Sequence, residues 1–241
     1  MVKILRLATD LTSDQLTGRD SSHVTHYDGD DWQCELHPAA LAAFLQMRAV
    51  ALGDGLDLIV VSSFRDFARQ ATIWNGKFRG ERPMLDRNGQ RLQCATLGAA
   101  ELVEAILWWS ALPGASRHHW GTDLDVIDRA ALTGSWLDYK PQLIPAEFAP
   151  GAVFSRLDEW LEAHMAEFGF FRPYRSDRAR GVRPEPWHLS FAPLAVPALE
   201  LMTEQVLRSA ISGSDIEGSA AVLAGLPAIY NDYVRRIDSA G

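Results

Sequence analysis

Ser116-Arg117-His118-His119-Trp120-Gly121-Thr122-Asp123-Leu124-Asp125 is the stretch on which the reading of this chain turns. From Gly121 to Ile127 residues alternate as a strand does, so Asp125 ends up on one face of a short sheet element with His118 just upstream. A histidine and an aspartate so placed supply one nitrogen and one oxygen donor. Their spacing alone decides nothing. With 31 acidic residues in 241, seven histidines give about one such pair by accident, and His23 with Asp30 repeats the spacing.

What lifts the pair is Glu185-Pro186-Trp187-His188, since no other histidine here has a glutamate three residues before it. Two imidazoles and a carboxylate form a mixed N/O set suited to zinc, with a fourth position left for water. A free carboxylate nearby, Glu185, is what a zinc hydrolase needs to take that water's proton. On an extended segment Glu185 and His188 point to opposite faces. A bend at Pro186, or an approach from the strand's end, has to bring both to one site.

Working outward, Leu41, Phe44, Leu45 and Val50 recur at helical spacing between Pro38 and Leu52, with Pro38 suited to the first turn. Leu56 to Ser62 reads as a short buried strand. Ser63, with Asp66 three residues on, resembles a capping box and predicts a helix through about Phe78. Residues 79–96 read as an inserted loop and Leu97 to Leu112 as a helix. Ser155 and Asp158 open another helix, which Gly169 closes. Phe170 to Tyr174 and Trp187 to Phe191 read as strands, residues 9–33 as polar loop or weak strand, and the chain from Pro193 as Ala- and Leu-rich helices. The pattern predicts an α+β fold, a small antiparallel sheet with flanking helices.

Composition narrows the function classes. Hydrophobic residues make up 47% and charged residues 22%, enough apolar material for a sizeable core. A net charge of −8 repels polyphosphate, so no nucleic-acid partner is expected. The longest apolar run, Leu56 to Val61, is broken by Asp57 and too short for a membrane span. Cys34 and Cys94 read as free thiols, with one disulfide as the alternative. Met1 to Ala8 has no apolar stretch of signal-peptide length, so either export by that route is absent or a signal was removed. A monomer is expected.

The motifs together resemble the D-Ala-D-Ala metallopeptidases of the VanY type, in the superfamily that groups lysostaphin, D-Ala-D-Ala peptidases and hedgehog domains. That family carries Ser-x-His-x-x-Gly-x-Ala-x-Asp and, downstream, Glu-x-x-His with Trp before the His. Ser116, His118, Gly121 and Asp125 match the first motif, and Glu185, Trp187 and His188 the second. An upstream Ser-x-x-Arg with Gln five residues later is matched by Ser62, Arg65 and Gln70. The resemblance covers roughly residues 36–192. It implies a zinc peptidase domain there, an N-terminal extension over 1–35 and a C-terminal helical appendage over 193–241.

By resemblance His118, Asp125 and His188 bind Zn2+, and Glu185 is the general base and then the acid. Arg65, Ser116 and Gln70 form the substrate side, with Arg65 in the first turn of its helix as a carboxylate receptor. The blander alternative for Arg65 is a pair with Asp66 or a surface acid. Asp123 departs from the pattern, standing where the family has Ala; it either orients a ligand histidine, lies in solvent, or competes for the metal. His119 is not required by the motif and reads as structural. Asp10, His23, His26, Asp28, Asp30 and Asp31 read as a solvated loop, with an auxiliary cation site as the alternative. The implied function is a carboxypeptidase on peptidoglycan-derived peptides ending in D-amino acids. The alternatives are an endopeptidase with the same zinc site and a zinc-containing binding module, against which the intact Glu185 argues.

Overall fold

The computed structural model describes residues 10–29, 31–94, 96–134 and 137–240. Thr12 caps a one-turn helix, α1 (Ser13–Leu16), by accepting from the Gln15 amide, and the Gln15 side chain accepts from the Thr12 amide. The polar stretch after it is an antiparallel hairpin, β1 (Thr25–Asp28) with β2 (Gln33–Leu36). Cys34 and Leu36 bury one face of β2, and that burial gives order to a segment whose composition alone reads as loop. Helix α2 (Pro38–Gly53) begins at Pro38 as expected and buries Ala40, Leu41, Phe44, Met47 and Ala51 along one stripe.

Strand β3 (Leu58–Ser62) leads to α3 (Phe67–Phe78). The helix cap is Asp66, not Ser63. The Ser63 hydroxyl is occupied by the Glu35 amide at 3.0 Å, whereas the Asp66 carboxylate accepts the Arg69 amide at 2.6 Å. Arg65 therefore lies in the turn before the helix rather than in its first turn. Helix α4 (Ala99–Leu107) is shorter than the span from Leu97 to Leu112, because the chain turns at Trp108 ahead of Pro113.

Then come β4 (Asp123–Asp128), α5 (Ser155–His164) and β5 (Phe170–Phe171), with Gly169 in the left-handed conformation before β5. Strand β5 does not reach Tyr174. Pro173 has no N–H for the ladder, and Arg172 turns to Asp158 at 2.8 Å. Strand β6 (His188–Phe191) is followed by α6 (Ala192–Leu201), α7 (Glu204–Ile211) and α8 (Ser219–Ile229).

The fold is α+β: helices flank a four-stranded antiparallel sheet of order β3-β4-β6-β5. One buried cluster joins the sheet to α2 and α5 through Phe44, Leu58, Leu124, Phe154 and Leu189. A second joins α3 and α4 to the C-terminal helices through Trp74, Ile106, Trp120, Met202 and Leu226. The Ser116–Asp125 stretch runs from one cluster to the other, Trp120 in the second and Leu124 in the first. Both cysteines are free. Among the described residues no helix is long and apolar enough to cross a membrane.

Candidate active site

The sheet places Asp125. Register sets it opposite His188 on β6 and Ser62 on β3, so Asp125 and His188 are a cross-strand pair. Asp125 Oδ1 lies 3.3 Å from His188 Nδ1. His118 comes from a 3-10 turn, Arg117–Trp120, that Gly121 closes with φ of 66°. A Cβ at Gly121 would stand 2.4 Å from Val24 Cγ1 and 2.9 Å from the His37 amide nitrogen, so only glycine fits. That turn is why the strand starts at Asp123 and not at Gly121. It brings His118 Nε2 to 3.6 Å from Asp125 Oδ2. The donor atoms of His118, Asp125 and His188 all lie within 4.8 Å of one another, and all three residues are buried.

Glu185 joins through a bend at Pro186, one of the two routes that strand geometry leaves open. Pro186 and Trp187 form a turn in which the His188 amide donates to the Glu185 carbonyl at 3.1 Å. Glu185 Oε2 thereby reaches 3.3 Å from His188 Nδ1.

Hydrogen bonds fix which ring nitrogens are free. His118 Nδ1 faces the Ser63 carbonyl at 2.8 Å, which only an N–H satisfies, and so Nε2 carries a lone pair. That Nε2 is buried without a hydrogen-bond partner. His188 Nε2 faces Asp123 Oδ1 at 2.9 Å, leaving Nδ1 toward Asp125 and Glu185. Burial, with Arg65 beside it, pushes the His118 pKa down to about 4, so the ring is neutral. Burial also opposes charge on His188, but Asp123, Asp125 and Glu185 around it outweigh that and raise its pKa well above the usual value. For Asp125 burial acts upward, and the His118 and His188 rings more than offset it, holding the carboxyl below its ordinary range. Three carboxylates, Asp123, Asp125 and Glu185, face Arg65, Arg117 and the proton that they hold on His188. A bare imidazole nitrogen on His118 beside these carboxylates fits a divalent cation such as zinc, which can take the place of the His188 Nδ1 proton.

Asp123 is fully buried and accepts from Arg117 Nε at 2.8 Å and the Thr122 hydroxyl at 2.6 Å as well as from His188. Of its readings, orientation of a metal-facing histidine is the one this geometry favours. Arg117 was not singled out by the motifs. An acid where the family has Ala calls for a nearby cation if it is buried, and Arg117 lies six residues upstream. His119 is tied to structure on both nitrogens: Nδ1 donates to the Arg65 carbonyl at 2.5 Å and Nε2 accepts from the Gly114 amide at 3.1 Å. Burial pushes its pKa down to about 3.

Arg65 Nη1 donates to Gln70 Oε1 at 3.1 Å and Nη2 lies 3.6 Å from Asp125 Oδ2, not against Asp66. Gln70 in turn donates to the Ala111 carbonyl at 2.7 Å. Arg65 Nε and Ser116 Oγ are buried without partners and line the cavity that Glu185 and His188 also line. The polar N-terminal residues do not converge. His23 bonds the His119 carbonyl at 2.9 Å, His26 pairs with Asp28, and Asp31 pairs with Arg129. Asp30 lies outside the described residues.

The segment 172–185 backs the site. The Tyr174 ring meets His188 edge-on at 5.1 Å, and its carbonyl accepts from the Glu185 amide at 2.9 Å. This segment is held from the far end of the chain. Asp238 accepts from the Arg175 and Ser176 amides at 2.8 and 2.9 Å, from the Ser176 hydroxyl at 2.6 Å and from Arg178, and its own amide donates to the Pro173 carbonyl. No motif marks Tyr174 or Asp238.

A family model described as VanY, D-alanyl-D-alanine carboxypeptidase, matches residues 33–194. An uncharacterized protein of Haemophilus influenzae is 34% identical over 125 residues, 51% of this chain and 92% of that protein. A second uncharacterized protein of the same organism is 39% identical over 107 residues, 42% of this chain and 70% of that one. Among solved structures, VanYB in complex with D-alanine-D-alanine shares the fold at a TM-score of 0.50 and 18% identity, covering 79% of this chain and 84% of that one. With two thirds of its length under that model, the chain belongs to the VanY family of D-alanyl-D-alanine carboxypeptidases.

Proposed function

We propose that this chain is a zinc-dependent carboxypeptidase that hydrolyses peptides ending in D-amino acids, such as the D-Ala-D-Ala ends of cell-wall precursors or muropeptides. The carrying observation is a buried triad of donors within 4.8 Å, with Glu185 3.3 Å from one of them. Family membership, and the D-Ala-D-Ala that VanYB binds, support the substrate class.

His118 through Nε2, His188 through Nδ1 and the Asp125 carboxylate would hold the zinc. Bound there, zinc would supply Lewis acidity toward a carbonyl oxygen and make a water acidic near neutral pH. Glu185 takes the proton of the attacking water and passes it to the leaving amine. The Ser63 carbonyl and Asp123 keep the two imidazoles in the tautomers that aim their lone pairs inward. Arg65, steadied by Gln70, and Ser116 receive the substrate carboxylate. Glu185 also separates this reading from a binding module, because a purely structural zinc site has no use for a base.

Metal content measured alongside turnover of a D-Ala-D-Ala peptide, with and without chelator, tests the reading. Zinc near one per chain, activity lost to chelator and restored by zinc is the expected outcome. Full turnover by metal-free protein would end the zinc reading.

A further inference from the structure

The cavity beside Glu185 has a positive charge behind its wall that no step above uses. Lys77 lies in the last turn of α3, seven residues beyond Gln70 and so on the same helical face. Its Nζ donates to Ser110 Oγ at 2.7 Å, and among the described residues no carboxylate lies within ion-pair distance of it. Burial pushes its pKa down to about 8; Glu185 pulls the other way, while Arg82 and Arg65 add to the depression. Among the described residues this half-buried ammonium has a neutral hydroxyl as its hydrogen-bond partner, and Glu185 acts on it only from beyond ion-pair distance, so its charge is incompletely compensated and favours a further anion nearby.

Ser110 lines the same cavity as Arg65, Ser116, Glu185 and His188. With an oxygen lone pair engaged by Lys77, Ser110 retains its O–H to donate, and the ammonium behind it polarises that bond. Arg65 is partly committed to Asp125 and Gln70, which leaves its buried Nε and the Ser116 hydroxyl as free donors. A carboxylate offers about four lone-pair positions, enough in number for these donors.

We propose that Lys77, acting through Ser110, completes the receptor for the free carboxylate of the substrate's last residue. It is a positioning residue that sets the preference for a chain end. The inference rests on the carboxypeptidase reading and deepens it by naming what distinguishes a C-terminal residue from an internal one.

The experiment compares kcat/KM for the free-acid and C-terminally amidated forms of one D-Ala-D-Ala peptide, using zinc-loaded full-length protein. Wild type should prefer the acid. Lys77→Met, which keeps the side-chain volume, should lower the acid-to-amide ratio about tenfold, carried by KM, with zinc content intact. Ser110→Ala should move the ratio the same way, and it decides the matter if Lys77→Met does not fold. A folded, zinc-loaded variant that keeps the wild-type ratio overturns the role of Lys77 while leaving the carboxypeptidase reading in place. Equal rates on acid and amide in wild type overturn any carboxylate receptor here and favour an endopeptidase. A zinc-loaded wild type that cleaves neither form removes the reading on which the proposal rests, and the proposal with it.

Discussion

The Asp123 carboxylate stands 2.9 Å from His188 Nε2 and 2.8 Å from Arg117 Nε, fully buried, so one side chain ties the His188 imidazole to a guanidinium. Asp123→Ala removes the acceptor that sets the His188 tautomer. Outer-shell partners of ligand histidines are worth about 10- to 100-fold in metal affinity, so zinc should bind more weakly by that factor. The change also strands Arg117 in the interior, and breaking a buried pair costs about 3–5 kcal/mol. Chelator competition and thermal melting read the two effects separately, and Arg117→Met added to the variant should recover part of the stability. Unchanged zinc affinity in the folded variant would confine Asp123 to folding.

His118→Ala, Asp125→Ala and His188→Ala should lose zinc and activity together, since each removes one of three donors from a site with no described fourth side chain in the triad. Metal analysis of the purified variants is the check. Tight, stoichiometric zinc in all three would sink the assignment.

Glu185→Gln should keep the metal, because Glu185 stands beside the triad and not within it. Turnover should fall by a factor on the order of 10² or more, in line with the loss of a general acid–base. A zinc-loaded Gln variant with near-normal kcat would take Glu185 out of the mechanism.

Asp238→Ala releases the segment that carries Tyr174 and leads to Glu185. No triad residue sits on that segment, so zinc should stay bound while kcat drops about tenfold or more, as small displacements of catalytic groups do. Steady-state kinetics with parallel zinc analysis separates this outcome from general unfolding; a wild-type kcat would count against the bracing role. The acid dependence has a fixed sign. Burial raises the Asp238 pKa, but bonds from Ser176 and Arg175 and the nearby Arg178 outweigh it and leave the carboxyl below its ordinary 3.8. Its stabilisation is therefore fully present above that value and is lost only as pH falls through the lower folded-state pKa. Hydrogen exchange at the Arg175 and Ser176 amides, followed as the pH is lowered from about 4 to about 2, would track that loss.

What the sequence determined by itself is local or motif-borne. The helix from Pro38, the α+β class and the meeting of His118, Asp125, Glu185 and His188 at one place were all readable, because periodicity, a fixed-φ proline and residue types at set spacings are encoded within a few positions. Strand geometry alone also called for either a bend at Pro186 or an approach from the strand's end, and the structure has the bend. Tertiary structure decided the rest. Ser63 looked like a cap until Glu35, 28 residues away, took its hydroxyl, and Arg65 then fell outside the helix. Asp123 could have lain in solvent, and only the fold places Arg117 and His188 around it. Asp238 braces residues some 60 positions earlier, and Lys77 meets Ser110 across 33. Such contacts have no short-range signature: a lone acid or lysine in sequence acquires its role from whichever distant backbone the packed core brings against it, and that choice is made by burial, not by spacing.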